Sequence, residues 1–366
     1  MKVLLATPGT DVGGAERIVI ALANALSHEV VVWGPAGALE PELGTAHVER
    51  IVVSPRGRTA AGVVEGVASL ATAIRRVRPQ VVHAHNPRVT GLAGVAARLA
   101  RGPRRPPVLS TFHGVTHEEY RAAAALLRAA DLVACVSPDL VAQLGAVGFP
   151  DARLRLVPNG VAAPADDPAA AARLDAELGL GGAPVVLAAG RLVTQKNHAR
   201  FLDAAALVAA ARPDVRFLLV GDGPLRGALE EQVRALGLGA RVTLTGVRHD
   251  VPALLRRADL IAFSSDWEGL PLVALEALAA GTPVVSTPVE GMAELTAGGA
   301  ATVIGEATAA ALAEAITGLL AEPAALEERG ERGRLHVEAR YSPAAMLGAY
   351  EALYGELSGG RARRRP

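Results

Sequence analysis

Two stretches, Arg128-Ala129-Ala130-Asp131-Leu132-Val133-Ala134-Cys135-Val136-Ser137 and Arg256-Arg257-Ala258-Asp259-Leu260-Ile261-Ala262-Phe263-Ser264-Ser265, share a basic opening, an aspartate and an apolar run. Each reads as the end of a helix followed by a short buried strand. A second echo pairs Arg78-Pro79-Gln80-Val81 with Arg212-Pro213-Asp214-Val215. The first pair is offset by 128 residues (259−131) and the second by 134 (212−78). Similar offsets in the same order make the chain read as two related halves; chance matching of short alanine-rich strings is the competing explanation.

Outward from these echoes, short apolar runs alternate with amphipathic stretches, the mark of βαβ units and parallel sheets. Strands are expected at 2–7, 29–34, 80–84, 107–112, 131–136 and 153–157, then at 184–189, 215–220, 241–245, 259–263 and 283–286. Helical patterns include 13–27, 62–77, 198–211, 225–236 and 271–280. With 366 residues the chain is sized for two domains. Asp166-Asp167-Pro168 and the stretch 179–184 look like the linker region. The expected fold class is α/β, with two doubly wound Rossmann-like domains. Ligands bind beyond the carboxyl ends of such strands, so the site is expected in a cleft between the domains.

Composition narrows the function. Lys+Arg and Asp+Glu balance at 37 each, which gives no footprint for nucleic acid. The single cysteine, Cys135, lies in an apolar run, and excludes an intrachain disulfide framework and a cysteine zinc site. The run Lys2–Ala6 is too short for a signal peptide, and no stretch reaches the ~20 apolar residues of a membrane span. A cytoplasmic protein is expected. Basic clusters at 101–105 and at Arg361, Arg363, Arg364 and Arg365 leave two readings, a solvated loop and tail or peripheral contact with an anionic membrane.

Four constellations sit at expected strand ends. Gly9-Thr10-Asp11-Val12-Gly13-Gly14-Ala15-Glu16-Arg17 precedes a helix, where paired glycines admit a ligand and the helix N-terminus favours an anion. It is neither the dinucleotide G-x-G-x-x-G fingerprint nor a Walker loop. Gly190-Arg191-Leu192-Val193-Thr194-Gln195-Lys196-Asn197 places two cations before a helix, suited to a diphosphate. Ser264-Ser265-Asp266-Trp267-Glu268-Gly269-Leu270-Pro271 leads into an apolar helix carrying Glu276. That carboxylate is either exposed or partnered, and ribose hydroxyls are one natural partner. Treating the segment as helical separates Glu268 and Glu276 by ~12 Å, beyond the ~5–9.5 Å of glycosidase carboxylates. Finally, His83 and His85 alternate at a strand end and His113 ends another. No acidic or further histidine neighbour of suitable spacing completes a metal site around them. His113 is either a structural hydrogen bonder or an active-site polar group.

Together these motifs resemble the retaining glycosyltransferases of family 4, with the GT-B architecture of two domains facing across a cleft. The resemblance lies in Gly13-Gly14-Ala15-Glu16, Phe112-His113-Gly114, Val157-Pro158-Asn159-Gly160-Val161, Gly190-Arg191 with Lys196-Asn197, Val220-Gly221-Asp222-Gly223-Pro224 and the Glu268…Glu276 pair. It implies an acceptor-binding domain over 1–166, to which a final helix at about 341–357 returns, and a donor-binding domain over 167–340. Arg191 and Lys196, after Gly190, would hold the diphosphate and Glu276 the ribose. Glu268 with Gly269, Leu270 and Pro271 would hold the donor sugar and nearby phosphate, and Val247 would line the base. Gly13, His83 and His113 would face the acceptor side, with His113 near the reacting sugar, while Gly14 would serve the donor, near its diphosphate.

The resemblance further implies transfer of a hexose from a nucleotide diphosphate sugar, UDP favoured over GDP, to a hydroxyl of a glycan, a lipid-linked or a small-molecule acceptor. Transfer would retain configuration by a front-face route, with no metal and no cofactor. A nucleotide-sugar 2-epimerase of the same fold and a nicotinamide-dependent oxidoreductase are the alternatives. The segment Val289-Glu290-Gly291-Met292-Ala293-Glu294 departs from the family's Gly-Gly-x-Pro-Glu, which bears on the loop near the donor sugar.

Overall fold

Short apolar runs without polar alternation become parallel strands, because a parallel sheet is covered on both faces and its strands have no wet side. The computed structural model describes residues 1–366 except 11–12, 45–46, 55–58, 101–104, 166, 297–298, 300 and 360–366. Asp11, Val12, Asp166, the basic cluster up to residue 104 and the arginine tail therefore lie outside the described residues.

The chain divides into two units, Met1–Gly160 with Ala344–Pro366, and Val161–Pro343. The first contains β1 (Lys2–Ala6), α1 (Gly14–Ala25), β2 (Glu29–Gly34), β3 (Val48–Val52), α2 (Ala60–Val77), β4 (Val81–His85) and α3 (Pro87–Leu99). It continues with β5 (Val108–Phe112), α4 (Tyr120–Leu127), β6 (Leu132–Cys135), α5 (Pro138–Ala146) and β7 (Leu154–Leu156). The second contains α6 (Pro168–Leu178), β8 (Val185–Ala189), α7 (His198–Ala211), β9 (Arg216–Val220), α8 (Arg226–Ala235), β10 (Val242–Gly246), α9 (Val251–Arg257) and β11 (Leu260–Phe263). Then follow α10 (Leu272–Ala279), β12 (Val284–Ser286), α11 (Met292–Thr296), β13 (Ala301–Val303), α12 (Ala309–Leu320) and α13 (Pro323–Arg340). The last helix, α14 (Pro343–Gly359), supplies the C-terminal part of the first unit. The stretch 179–184, expected in the linker region, is instead a turn inside the second unit, opened by Gly179 in the left-handed conformation that ends α6.

Both sheets are wholly parallel among the described residues. Their orders are β3-β2-β1-β4-β5-β6-β7 and β10-β9-β8-β11-β12-β13. Counting strands within each unit, both begin 3-2-1-4-5-6, the doubly wound Rossmann order. The sequence echoes, however, do not mark equivalent strands. Asp131 opens the sixth strand of its unit and Asp259 the fourth of the other. What the two share is a local junction. Asp131 Oδ2 accepts the Val108 N–H and Asp259 Oδ2 accepts the Val185 N–H, each at 2.8 Å, so each aspartate ties its strand to the start of the neighbouring one.

Candidate functional site

In the second unit the order reverses between β8 and β11, and the two loops leaving those strands meet. The β8 loop is shaped by backbone packing. Gly190 N–H donates to Val220 O and Leu192 N–H to Asp222 O, both at 2.9 Å. Gly221, at φ +132°, lies so close to the Gly190 backbone that a Cβ would strike its carbonyl. Asn197, at φ 43°, caps α7 by accepting the Arg200 N–H at 3.3 Å.

The β11 loop is stitched to it. Asp266 N–H donates to Gln195 O (2.9 Å), Gln195 Nε2 to Trp267 O (3.1 Å) and Ser264 Oγ to Lys196 O (3.0 Å). Arg200 spans both loops, donating from Nη1 to Ser264 O (2.7 Å) and from Nη2 to Asp266 Oδ1 (2.8 Å). Asn197 Nδ2 donates to the same Asp266 carboxylate at 3.1 and 3.2 Å. These bonds bring Lys196 Nζ to 2.5 Å from Glu268 Oε1, which also accepts Ser265 Oγ at 2.6 Å. Glu268 is 6% exposed, so two donors converge on an enclosed carboxylate. Arg191 is exposed and has no ion pair among the described residues, leaving its guanidinium open to an anion.

Beyond Glu268 the chain is not helical until Leu272, with Pro271 as the cap of α10. The ~12 Å helical spacing expected for Glu268 and Glu276 therefore does not apply, since only Leu272 to Glu276 follows helical rise. Glu276 sits half-buried on α10, while Gly269, Leu270 and Pro271 are buried. Gly291, at φ +76°, packs on this turn, where a Cβ would lie 2.9 Å from Leu270 Cα. Val247 follows β10 and is 50% exposed.

The first unit gathers its own candidates at the ends of β1, β4 and β5. Gly13 caps α1 in extended conformation and Gly14 opens the helix. His83 and His85 share one face of β4, as alternate strand residues must. His83, expected on the acceptor side, is enclosed and fully occupied. Its Nδ1 lies 2.8 Å from Tyr354 Oη and its Nε2 2.7 Å from Thr111 Oγ1, while Thr111 Oγ1 lies 2.9 Å from Tyr350 Oη. Both tyrosines belong to α14, so His83 holds the last helix rather than a ligand in this structure. His113 is half-buried at the end of β5, with Nε2 at 3.4 Å from His85 Nδ1. Burial holds His83 down near 3 and His113 near 4, and burial with repulsion from both neighbours holds His85 well below the usual imidazole range. Burial pushes the Cys135 thiol up to about 12, as an inert core residue requires.

Sequence reasoning did not single out Arg200, Asp266 or Ser265, which organise the loop pair. Among the described residues no single helix is long and apolar enough to cross a membrane.

Residues 12–163 match Glycosyltransferase Family 4 and residues 172–336 match Glycosyl transferases group 1. The α-D-kanosaminyltransferase of Streptomyces kanamyceticus is 32% identical over 196 residues, 53% of this chain and 51% of that one. The chain thus spans about half the length of that relative. The GDP-mannose-dependent α-(1-6)-phosphatidylinositol monomannoside mannosyltransferase of Mycolicibacterium smegmatis is 33% identical over 259 residues, 66% of this chain and 68% of that one. The crystal structure of Anabaena Alr3699/HepE in complex with UDP and glucose superposes with a TM-score of 0.86 at 22% identity, covering 97% of this chain and 100% of that one. Its fold is GT-B, and the two Rossmann-like units here have that same fold. On its motifs, its sheets and these matches, the chain belongs to glycosyltransferase family 4.

Proposed function

We propose that this protein transfers a hexose from a nucleotide diphosphate sugar to a hydroxyl acceptor, with retention of configuration and without a metal ion. The observation that carries the reading is the stitched loop pair at the carboxyl ends of β8 and β11. It presents an exposed arginine, a lysine on an enclosed glutamate and the start of α10 together. Such a site is built for a diphosphate flanked by hydroxyls.

In this reading Arg191 and Lys196 take the leaving diphosphate, Glu268 and the Gly269–Pro271 backbone orient the donor sugar, and Glu276 accepts the ribose hydroxyls. Val247 lies beside the base. Gly13 and His113 serve the acceptor side, and Gly14 lies near the diphosphate. The departing diphosphate oxygen takes the proton of the attacking hydroxyl, so the protein contributes positioning and charge stabilisation rather than a nucleophile. UDP is favoured over GDP as the nucleotide. The Anabaena neighbour's UDP supports that choice, and the mycobacterial relative's GDP-mannose is the competing precedent.

Calorimetry tests the ribose assignment: Glu276→Ala is expected to weaken UDP binding by roughly 10-fold or more, the scale of a lost charged hydrogen bond. Equal UDP and GDP affinities in the variant and the parent would remove Glu276 from the donor site.

A further inference from the structure

A ladder of rings runs through the first unit towards the end of β5. His83 lies 5.1 Å from Tyr350 and 5.7 Å from Tyr354, centroid to centroid. His85 lies 4.3 Å from His83 and 5.7 Å from His113, nearly parallel to the latter at 21°. His113 alone of the three histidines reaches the surface.

His85 is the member no role has absorbed. It is 1% exposed, its Nδ1 faces His113 Nε2, and its Nε2 is buried without a partner among the described residues. A neutral imidazole carries a single N–H. Two proton arrangements can then join His85 to His113. In one, His113 Nε2–H donates to His85 Nδ1, and the His85 proton must sit on Nε2, a buried N–H with no acceptor. In the other, His85 Nδ1–H donates to His113 Nε2, which leaves only a bare lone pair at His85 Nε2. Orphaned buried N–H groups are the rarer and costlier defect. The second arrangement wins, and it places the His113 proton on Nδ1, which no described residue engages. Which nitrogen of a histidine carries the proton is set by the hydrogen bond the other makes.

We propose that His85 is a positioning residue that fixes the His113 ring with its proton on Nδ1, so that His113 meets the transferred sugar as a hydrogen-bond donor. The sugar contact rests on the function proposed above; the tautomer does not. His83 supports the arrangement by packing its ring, tilted by 34°, against His85 while its own nitrogens are held by Tyr354 and Thr111.

The test uses the full chain labelled with 15N-histidine, with His113 assigned by its loss in His113→Gln. At pH 7.5 the parent is expected to show a protonated Nδ1 and a bare Nε2 on His113. His85→Asn, whose amide can donate from the Nδ1 position, is expected to keep that pattern. His85→Leu is expected to release it into a mixture of tautomers. With a nucleotide sugar that the parent turns over, kcat in His85→Leu is expected to fall roughly 10- to 100-fold, the scale of a misplaced group. KM for the donor should stay nearly unchanged, and His85→Asn should recover most of the loss. A parent His113 protonated on Nε2, or an unchanged tautomer in His85→Leu, would overturn the proposal. So would an unchanged kcat in His85→Leu. If no donor is turned over, the proposed function fails, while the tautomer readout still decides the role of His85.

Discussion

Arg191 and Lys196, which look like a matched pair of cations, face different physical situations. Lys196 is held by the enclosed Glu268 carboxylate, so removing it strands a buried charge as well as a phosphate ligand. Arg191 is exposed and has no ion pair among the described residues. Arg191→Ala is therefore the cleaner probe. Its kcat/KM is expected to fall by about 10²–10³, the scale of a lost transition-state donor, with stability changed by less than about 0.5 kcal/mol. Lys196→Ala is expected to lose activity and about 3 kcal/mol or more of stability together. Parallel initial-rate and denaturation series check both; a stable Lys196→Ala would contradict the buried pair. The bridging residues belong to the same scale. Arg200→Ala removes donors to Ser264 O and Asp266, and is expected to cut turnover although Arg200 is not itself assigned a substrate contact.

At the scale of elements, the strands and helices that place the site were legible because each carries a continuous apolar run or a 3.6-residue pattern. The loops at their ends were legible because glycines and charges interrupt those runs. Two strands were not. β3 reads Val-Glu-Arg-Ile-Val, where Arg50 is absorbed by Glu40 at 2.6 Å and by backbone carbonyls, a pairing that no local pattern announces. β13 is the short, mixed run Ala-Thr-Val, only partly buried, with no continuous apolar stretch to mark it. The partners of Arg200 lie 64 and 66 residues away, so only the fold reveals the clamp. His83 was misplaced for a similar reason: the tyrosines that enclose it arrive on α14, 271 residues downstream in the case of Tyr354. Asn197 did carry a signal, since an asparagine directly before an apolar helix marks a cap. The departure at Val289–Glu294 also becomes interpretable, because Gly291 keeps the close approach to the 269–270 backbone. Gly291→Ala combines a positive φ with a clash and is expected to destabilise by about 1–3 kcal/mol. A thermal melt at the parent's value would show that the loop yields more easily than this packing implies.

For the molecule as a whole, three buried histidines and the half-buried His113 set a dependence on acid. Burial lowers His83, His85, His113 and His198, the last also by the Lys196 charge. Each stays neutral in the folded chain but binds a proton when unfolded below about pH 6.5. The unfolded state thus holds more protons between that value and about 4, so stability falls as pH falls through this window. The melting temperature is expected to drop between pH 7 and pH 5, above the range where ordinary carboxylates protonate. A flat profile there would mean the histidines are wetter than the packing indicates. Activity in the presence of EDTA is expected to match activity without it, and a loss restored by Mn²⁺ would overturn the metal-free reading.

The most direct measurement is a panel of UDP- and GDP-sugars incubated with the parent chain and with Arg191→Ala, following released nucleoside diphosphate with and without hydroxyl acceptors. Acceptor-dependent release from a UDP-sugar is expected of the parent, with its near disappearance in Arg191→Ala. Isomerisation of the sugar without acceptor, or no diphosphate released from any donor while a nicotinamide cofactor binds, would contradict it.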